Sequence, residues 1–381
     1  MLGTTLPTPL YPIYRQEYGF SQLTVTLVFA TYSVGVITAL LLFGGLSDQI
    51  GRRRLMLPGL ALAALSALSF LFAQGLGLLL MGRLLSGLSA GIFTGTATAM
   101  IVELAAPENR GRATLLATSA NLGGLGCGAL LAGLLAEYAG SPRRLSFVVD
   151  LVLLVPAATT VWLVPESVQT LGRLRLRLQR PTVSAQVRPV FVQAAIVAFA
   201  GFSVLGLFTA IAPSFLGEVL DVQNHAVAGL LVFAVFAAST VGQLCLERVP
   251  ESRGLPLGCV GLAVGMALFA LGLAVSSLTL LVIGGCVSGL GQGLSFRGAL
   301  IAVNDVSPPE QRASVVSAFF VVAYVAVSLP VVDVGVLEQV TNIRVAGLAF
   351  AGVVIMLALV ALALLRRRSN EDQLQHRSAT G

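Results

Sequence analysis

The chain has 381 residues, 56% of them hydrophobic and 10% charged, with a mean hydropathy of +0.91 and a formal net charge of +6. Soluble globular domains hold roughly 45–50% apolar and about 25% charged residues. A water-soluble protein of this length could not cover its surface with so few charges, which excludes that class and leaves an integral membrane protein. The basic residues are all arginine and sit in short breaks between apolar runs, so anionic lipid headgroups, and not nucleic acid, are the expected counter-charge.

In chain order, the first stretch is MLGTTLPTPLYPIYRQEYGFS, interrupted by Pro7, Pro9 and Pro12 and closed by Gln16 and Glu17. At most about 14 of these residues can be helical, roughly 21 Å at 1.5 Å per residue, short of a hydrocarbon core about 30 Å thick. The expectation is a first helix whose cytoplasmic half lies upstream of the given start; the alternative is an eleven-span chain with an outside amino terminus. No basic n-region or leader-like block follows Met1, so no cleavable signal peptide is expected. Long apolar runs follow at 22–43, 55–74, 77–102, 113–136, 146–164, 190–216, 226–246, 256–276, 278–303, 314–335 and 345–365, each long enough to span as a helix. The fold class is therefore all-α and polytopic.

Seventeen arginines fall in one alternating set of breaks and four (Arg15, Arg143, Arg144 and Arg344) in the other, with Arg83 and Arg297 inside spans. The positive-inside rule puts the richer set, and with it the carboxyl terminus, in the cytoplasm of a cell inner (plasma) membrane. GGLSDQIGRRR (44–54) is then a cytoplasmic turn. Gly44 and Gly45 allow a tight helix end and Gly51 a reversal, Asp48 can face helix amides or an arginine, and Arg52, Arg53 and Arg54 anchor in headgroups.

A shift of 202 residues aligns Gly82, Ser86, Gly87, Leu88 and Gly91 with Gly284, Ser288, Gly289, Leu290 and Gly293, and Pro107, Glu108 and Arg110 with Pro309, Glu310 and Arg312. Two parallel six-helix bundles are expected, a twelve-helix plan with the first helix incomplete: 1–166, a basic cytoplasmic linker at 167–189, then 190–365 and a cytoplasmic tail at 366–381. Parallel membrane repeats place a substrate site near the midplane between them.

The 44–54 loop resembles the turn between the second and third helices of the major facilitator superfamily, G-x-L-a-D-r-x-G-r-k. Gly44, Leu46, Asp48, Gly51, Arg52 and Arg53 match; Ser47 stands where alanine is usual, and Gln49 where a basic residue is. RLLSGLSAG (83–91), with Arg83 and Gly87, is similar to the fourth-helix pattern, ELAAPENRGR (103–112) to the following turn, and PES (165–167) to the end of the sixth helix. In NLGGLGCGALLAG (121–133), Gly124, Gly128 and Gly133 fit a fifth-helix signature associated with antiporters, with Ala129 in place of its proline. The resemblance implies that Asp48 and Arg52 belong to a charge lock holding the halves together on the cytoplasmic side, with Glu103 as acidic partner, and that the lock favours the outward-open state. It also implies a functional monomer.

An ionisable side chain inside a span is a functional candidate by default. Arg83 lies about seven residues, roughly 10 Å, into its span, and the resemblance makes it a coupling or gating residue. Arg297 either snorkels to the cytoplasm or lines the cavity. Asp150 and Asp333, near the outer ends of their spans, are either proton carriers or solvated interfacial acids. Phe202, Ser203, Thr209, Gln292 and Phe296 are candidates to face the cavity. His225 reads as a loop residue and His376 as a tail residue. Cys127, Cys245, Cys259 and Cys286 show no CxxC spacing, and there is no HExxH or Walker loop, so no metal, cofactor, enzyme activity or direct ATP drive is expected. The reading is a secondary transporter working by alternating access, exporting small molecules in exchange for protons. The alternatives are a proton symporter or facilitator importing a nutrient, or a non-transporting membrane sensor.

Overall fold

The computed structural model describes residues 1–43, 46–166 and 182–380, without the side chains of Asp48, Glu251, Ser252 and 368–380. Gly44 and most of the expected linker lie outside the described residues. All regular structure among the described residues is helical, and eleven helices are long and apolar enough to cross a membrane. They are α3 (Gln22–Phe43), α5 (Arg52–Leu71), α6 (Leu76–Leu104), α7 (Arg110–Tyr138), α8 (Pro142–Leu163), α9 (Arg188–Ala210), α11 (His225–Cys245), α12 (Glu251–Ala274), α13 (Leu278–Val306), α14 (Pro309–Val340) and α15 (Ile343–Thr380). Four short helices complete the set: α1 (Leu2–Thr5), α2 (Tyr11–Tyr18), α4 (Ser47–Ile50) and α10 (Ala212–Val219).

The breaks follow local chemistry. Pro7 and Pro9 hold the first segment to α1, a 3-10 turn over Thr8–Leu10 and α2, which Gly19 ends at φ 66°. Asn224 caps α11 by accepting from the Val227 amide at 3.0 Å. The expected seventh span is not continuous. It breaks at Ile211 into α9 and α10, because Pro213 has no N–H to give and its ring crowds the preceding turn.

Helices α1 to α8 pack among themselves, as do α9 to α15, and the two groups meet along two antiparallel seams, α7 on α11 and α3 on α14. The sequence repeat has a packing cause. A Cβ on Gly87 or Gly91 would strike the carbonyls of Tyr32 and Val36 on α3; on the repeat mates Gly289 and Gly293 it would strike those of Val235 and Ser239 on α11. Each pair of glycines seats α6 or α13 against a neighbour's backbone at a spacing of four residues, the approach that small residues permit in membranes.

The ends bearing Arg52–Arg54, Arg110, Arg112, Arg248, Arg253 and Arg312 form one face of the molecule, and those bearing Arg15, Arg143, Arg144 and Arg344 the other. Among the described residues, the hydrogen bonds and ion pairs between the groups lie at the arginine-poor face and at mid-depth. Arg15 Nη1 meets Glu218 Oε1 at 2.5 Å, Ser214 Oγ donates to Gln22 Oε1 at 2.9 Å, and the His225 amide donates to Glu137 Oε2 at 2.9 Å. Deeper in, Ser328 donates to Ser33, and Tyr32 and Tyr324 meet edge to face with ring centroids 6.3 Å apart. In helix α7, Gly126, Gly128, Ala129, Ala132, Gly133 and Ala136 are buried; toward the arginine-rich end burial thins to Ala113 and Ala117, with Arg110, Arg112, Thr114 and Leu116 exposed.

Candidate functional site

The turn before α5 is built around a carboxylate. Gly51 adopts φ 103° and ψ 147°, a region that side chains disfavour, and the Glu166 carboxyl occupies the space where a Cβ would stand. Glu166 Oε1 accepts from the amides of Arg52 at 2.7 Å and Arg53 at 3.4 Å, so the residue just beyond α8 caps the amino terminus of α5. An anion there meets free N–H groups and the positive end of the helix dipole. Glu166 Oε2 is buried without a hydrogen-bond partner.

Arg52 reaches Glu103 at the end of α6 with both arms of its fork, Nη2 to Oε1 at 2.8 Å and Nε to Oε2 at 3.3 Å, and also donates to Ser47. The loop, α5, α6 and the end of α8 are thus tied into one charged corner. Arg52 and Glu103 are both in the first helix group, so this pair lies within that group. The Asp48 side chain lies outside the described residues. The second group does not repeat the corner, since Pro250 and Gly254 stand at the repeat positions of Asp48 and Arg52.

Arg83, two turns into α6 from its arginine-poor end, is 1% exposed. Its Nη1 donates to the Thr4 carbonyl at 2.6 Å and its Nη2 to the Tyr11 hydroxyl, while the guanidinium lies 5.3 Å and 5.6 Å from the ring centroids of Tyr11 and Phe29. Nε is buried without a partner, and no carboxylate pairs with this cation among the described residues. Asp150 on α8 is 6% exposed, which replaces the solvated interfacial acid with a buried one. It lines a cavity of about 250 Å³ with Thr4, Ser66, Ser86, Ser89 and Phe147.

Several other candidates are placed elsewhere. Asp333 is exposed on the face of α14 that carries Leu329, Val336 and Val340. Gln292 is buried between α13 and its neighbours, accepting from Ser239 Oγ at 2.5 Å, and Ser203 donates to its own helix at Phe199. Thr209 likewise donates to Leu205, and Phe202 packs on Phe296 at 5.1 Å. These five belong to the interior of the second group. Arg297 pairs with Glu247 at 3.1 Å and donates to the Gln243 carbonyl at 2.7 Å, snorkelling to the arginine-rich end of α11. Gly124 and Gly128 face Met1 and Leu2, while Gly133 meets Gly229 on α11, where a Cβ would lie 3.1 Å from its Cα. The PES stretch marked Glu166 as a helix end and not as the cap of α5, and Tyr11, Gln22 and Glu218 were not among the expected site residues. In a chain with 17 acids, the position of Glu166 directly after an apolar run was the available signal.

Polytopic all-helical architecture, a charged corner between two helices and a buried arginine on the next define a membrane transporter of the two-bundle kind. The profile of the Major Facilitator Superfamily matches residues 1–329 and 246–380, and the chain belongs to that family, which sets it among transporters and not enzymes. Quinolone resistance protein NorA of Staphylococcus aureus is 24% identical over 161 residues, 40% of this chain and 42% of that protein. The uncharacterized MFS-type transporter MJ1560 of Methanocaldococcus jannaschii is 27% identical over 140 residues, 37% and 36% of the two chains. The alignments thus span about two fifths of these relatives' length. A POT family transporter crystallised with 5-aminolevulinic acid superposes with a TM-score of 0.77 over 96% of this chain and 93% of its own, at 11% identity, a likeness of fold alone.

Proposed function

We propose that this protein is a secondary transporter that exports small molecules in exchange for protons by alternating access. The carrying observation is an asymmetry of contacts: among the described residues, hydrogen bonds and an ion pair join the two helix groups at the arginine-poor face, while the first turns of α7 and α14 at the arginine-rich face are largely exposed. With the arginine-rich face in the cytoplasm by the positive-inside rule, this is a state closed to the outside. Rigid groups rocking about two seams would expose a midplane site to one side and then the other.

In this reading Gly44, Asp48, Gly51, Arg52, Arg53 and Glu103 form the gating corner that re-engages the second group when the outside opens. Arg83 and Asp150 are the coupling candidates, a buried cation with no carboxylate partner among the described residues and a buried acid on the same helix group. Export is supported by the fifth-helix glycines and by the partial similarity to a protein named for quinolone resistance.

The test is accumulation of fluorescent dyes and a labelled quinolone in an efflux-deficient host, with and without a protonophore. The expected outcome is lower accumulation that the protonophore restores. Unchanged or raised accumulation across the panel would sink the export reading.

A further inference from the structure

The first helix group holds a cavity of its own. The volume of about 250 Å³ around Asp150 lies between α1, α5, α6 and α8, and no residue of the second group lines it. It is separate from the midplane space between the groups, so rigid rocking of the groups leaves its walls unchanged. At the arginine-poor end Phe70 and Phe147 stack with ring centroids 5.0 Å apart, both buried, and shut the cavity off from that face. Helix α8 buries only Ser146, Phe147 and Asp150. Leu153, at the cavity's edge, belongs with Val152 and Val155 to the exposed apolar face of that helix, which meets lipid.

The polar side chains that line the cavity are Thr4, Ser66, Ser86, Ser89 and Asp150. Three of the four hydroxyls give their protons to backbone carbonyls: Thr4 to Met1 at 2.7 Å, Ser66 to Gly82 at 2.8 Å and Ser89 to Gly59 at 2.8 Å. A hydroxyl that has donated offers only its lone pairs. The Asp150 carboxylate makes no hydrogen bond or ion pair among the described residues. Met1 also borders the cavity, and its amine forms no ion pair with the acid. Arg83 is engaged by the Thr4 carbonyl and Tyr11 and takes no part in the lining. The result is a set of acceptors around one buried acid. A carboxylate held there without a donor is costly, and the fold does not demand one, since the repeat mate of Asp150 is Gly352.

We propose that this cavity binds a small primary ammonium with an apolar body, its N–H donors met by Asp150 and the lining hydroxyls and its body by Phe70, Phe93 and Phe147. The acid calls for a cation, and the acceptors call for one that carries N–H donors. The volume sets the size, because it falls below the roughly 300–1,000 Å³ of pockets that take drug-sized ligands. The lipid-facing edge at Leu153 makes the membrane the route of entry. The site goes beyond the export reading: binding at it needs neither movement of the groups nor a coupling proton.

The test is binding of tritiated 2-phenylethylamine to the purified full chain in lipid nanodiscs. Saturable binding is expected, displaced by the unlabelled amine. The N,N,N-trimethyl derivative keeps the charge and the body but has no N–H, and is expected to compete at least about tenfold more weakly. Asp150→Asn removes the charge at nearly constant shape and is expected to weaken binding at least about tenfold. Ala63→Phe fills the cavity without touching the acid and is expected to abolish it. Tyr324→Phe, between the groups, is expected to leave binding unchanged, which separates this cavity from a midplane site. Melting curves of the variants report folding, and the competitor comparison uses the parent chain and so depends on no variant. Absence of saturable binding, equal competition by the trimethyl derivative, parent-like affinity in Asp150→Asn or Ala63→Phe, or loss of binding in Tyr324→Phe would each overturn the site. Binding as stated in a chain that exports none of the dyes would leave this inference standing and sink only the export reading.

Discussion

An arginine inside a membrane span costs several kcal/mol unless its donors are met. Arg83 meets two of its three nitrogens with Thr4 and Tyr11 and lays its charge against two rings, leaving Nε buried and unpartnered. The internal repeat gives an independent measure of how unusual this is. The mate of Arg83 is Gly285, where a Cβ would lie 3.0 Å from the Phe208 ring, so the second group fills the equivalent space with an apolar side chain. The fold does not need a cation there. Arg83→Lys keeps the charge but cannot reach both acceptors or present a planar face to the rings. It is expected to lower energised dye efflux at least tenfold, a change of about 1.4 kcal/mol, with membrane insertion unchanged. Efflux at the parent rate would remove Arg83 from the coupling machinery.

At the scale of elements, the two seams between the groups carry different chemistry, and the α7–α11 seam is the tighter. Gly133 and Gly229 face each other so closely that a Cβ on Gly229 would lie 3.2 Å from Cα of Gly133. In α7 itself Gly123 faces open space, with nothing within 4 Å of where its Cβ would be. The two positions are an internal control on one helix. Gly133→Val is expected to wedge the seam and cut dye efflux severalfold with expression retained, whereas Gly123→Ala is expected to leave efflux unchanged, since alanine is favoured over glycine in a helix by about 1 kcal/mol. Equal behaviour of the two would show that the seam tolerates separation. The charged corner at Gly51, Arg52, Glu103 and Glu166 is also an element-scale feature. It ties the ends of α5 and α6 and the residues just past α8 together.

For the whole molecule, the distribution of arginine fixes the orientation argument. The arginine-rich ends of alternate helices lie on one face, the carboxyl end of α15 among them, as the alternation of breaks required. A green fluorescent protein fused after the last residue is expected to fluoresce, because it folds only on the cytoplasmic side. Alkaline phosphatase at the same junction is expected to be inactive. The reverse pattern would invert the molecule and turn the outside-closed state into an inside-closed one.

The sequence alone determined the class, the eleven long spans, their alternating direction and the repeat, because each of these is written in local quantities: apolar length, arginine spacing, glycine spacing. It also marked Gly51, Arg52 and Glu103 through a motif dense enough to recognise. What it could not decide was which polar side chains meet. Gln292 and Ser203 look like cavity residues in a one-dimensional reading, yet they are satisfied inside the second group by Ser239 and by a turn of their own helix. Asp150 and Asp333 looked alike by depth, and only packing buried one and left the other exposed. Glu166 to Arg52 spans 114 residues and Arg15 to Glu218 spans 203. Contacts at such separations depend on how whole helices are placed, and the helix positions follow from the glycine seams of the assembled molecule. The periodicity of any one segment carries no record of them. Tertiary structure decided that the Arg52–Glu103 pair lies within one group, and that the contacts of Arg15, Gln22 and Glu137 join the two groups at the face where arginine is scarce.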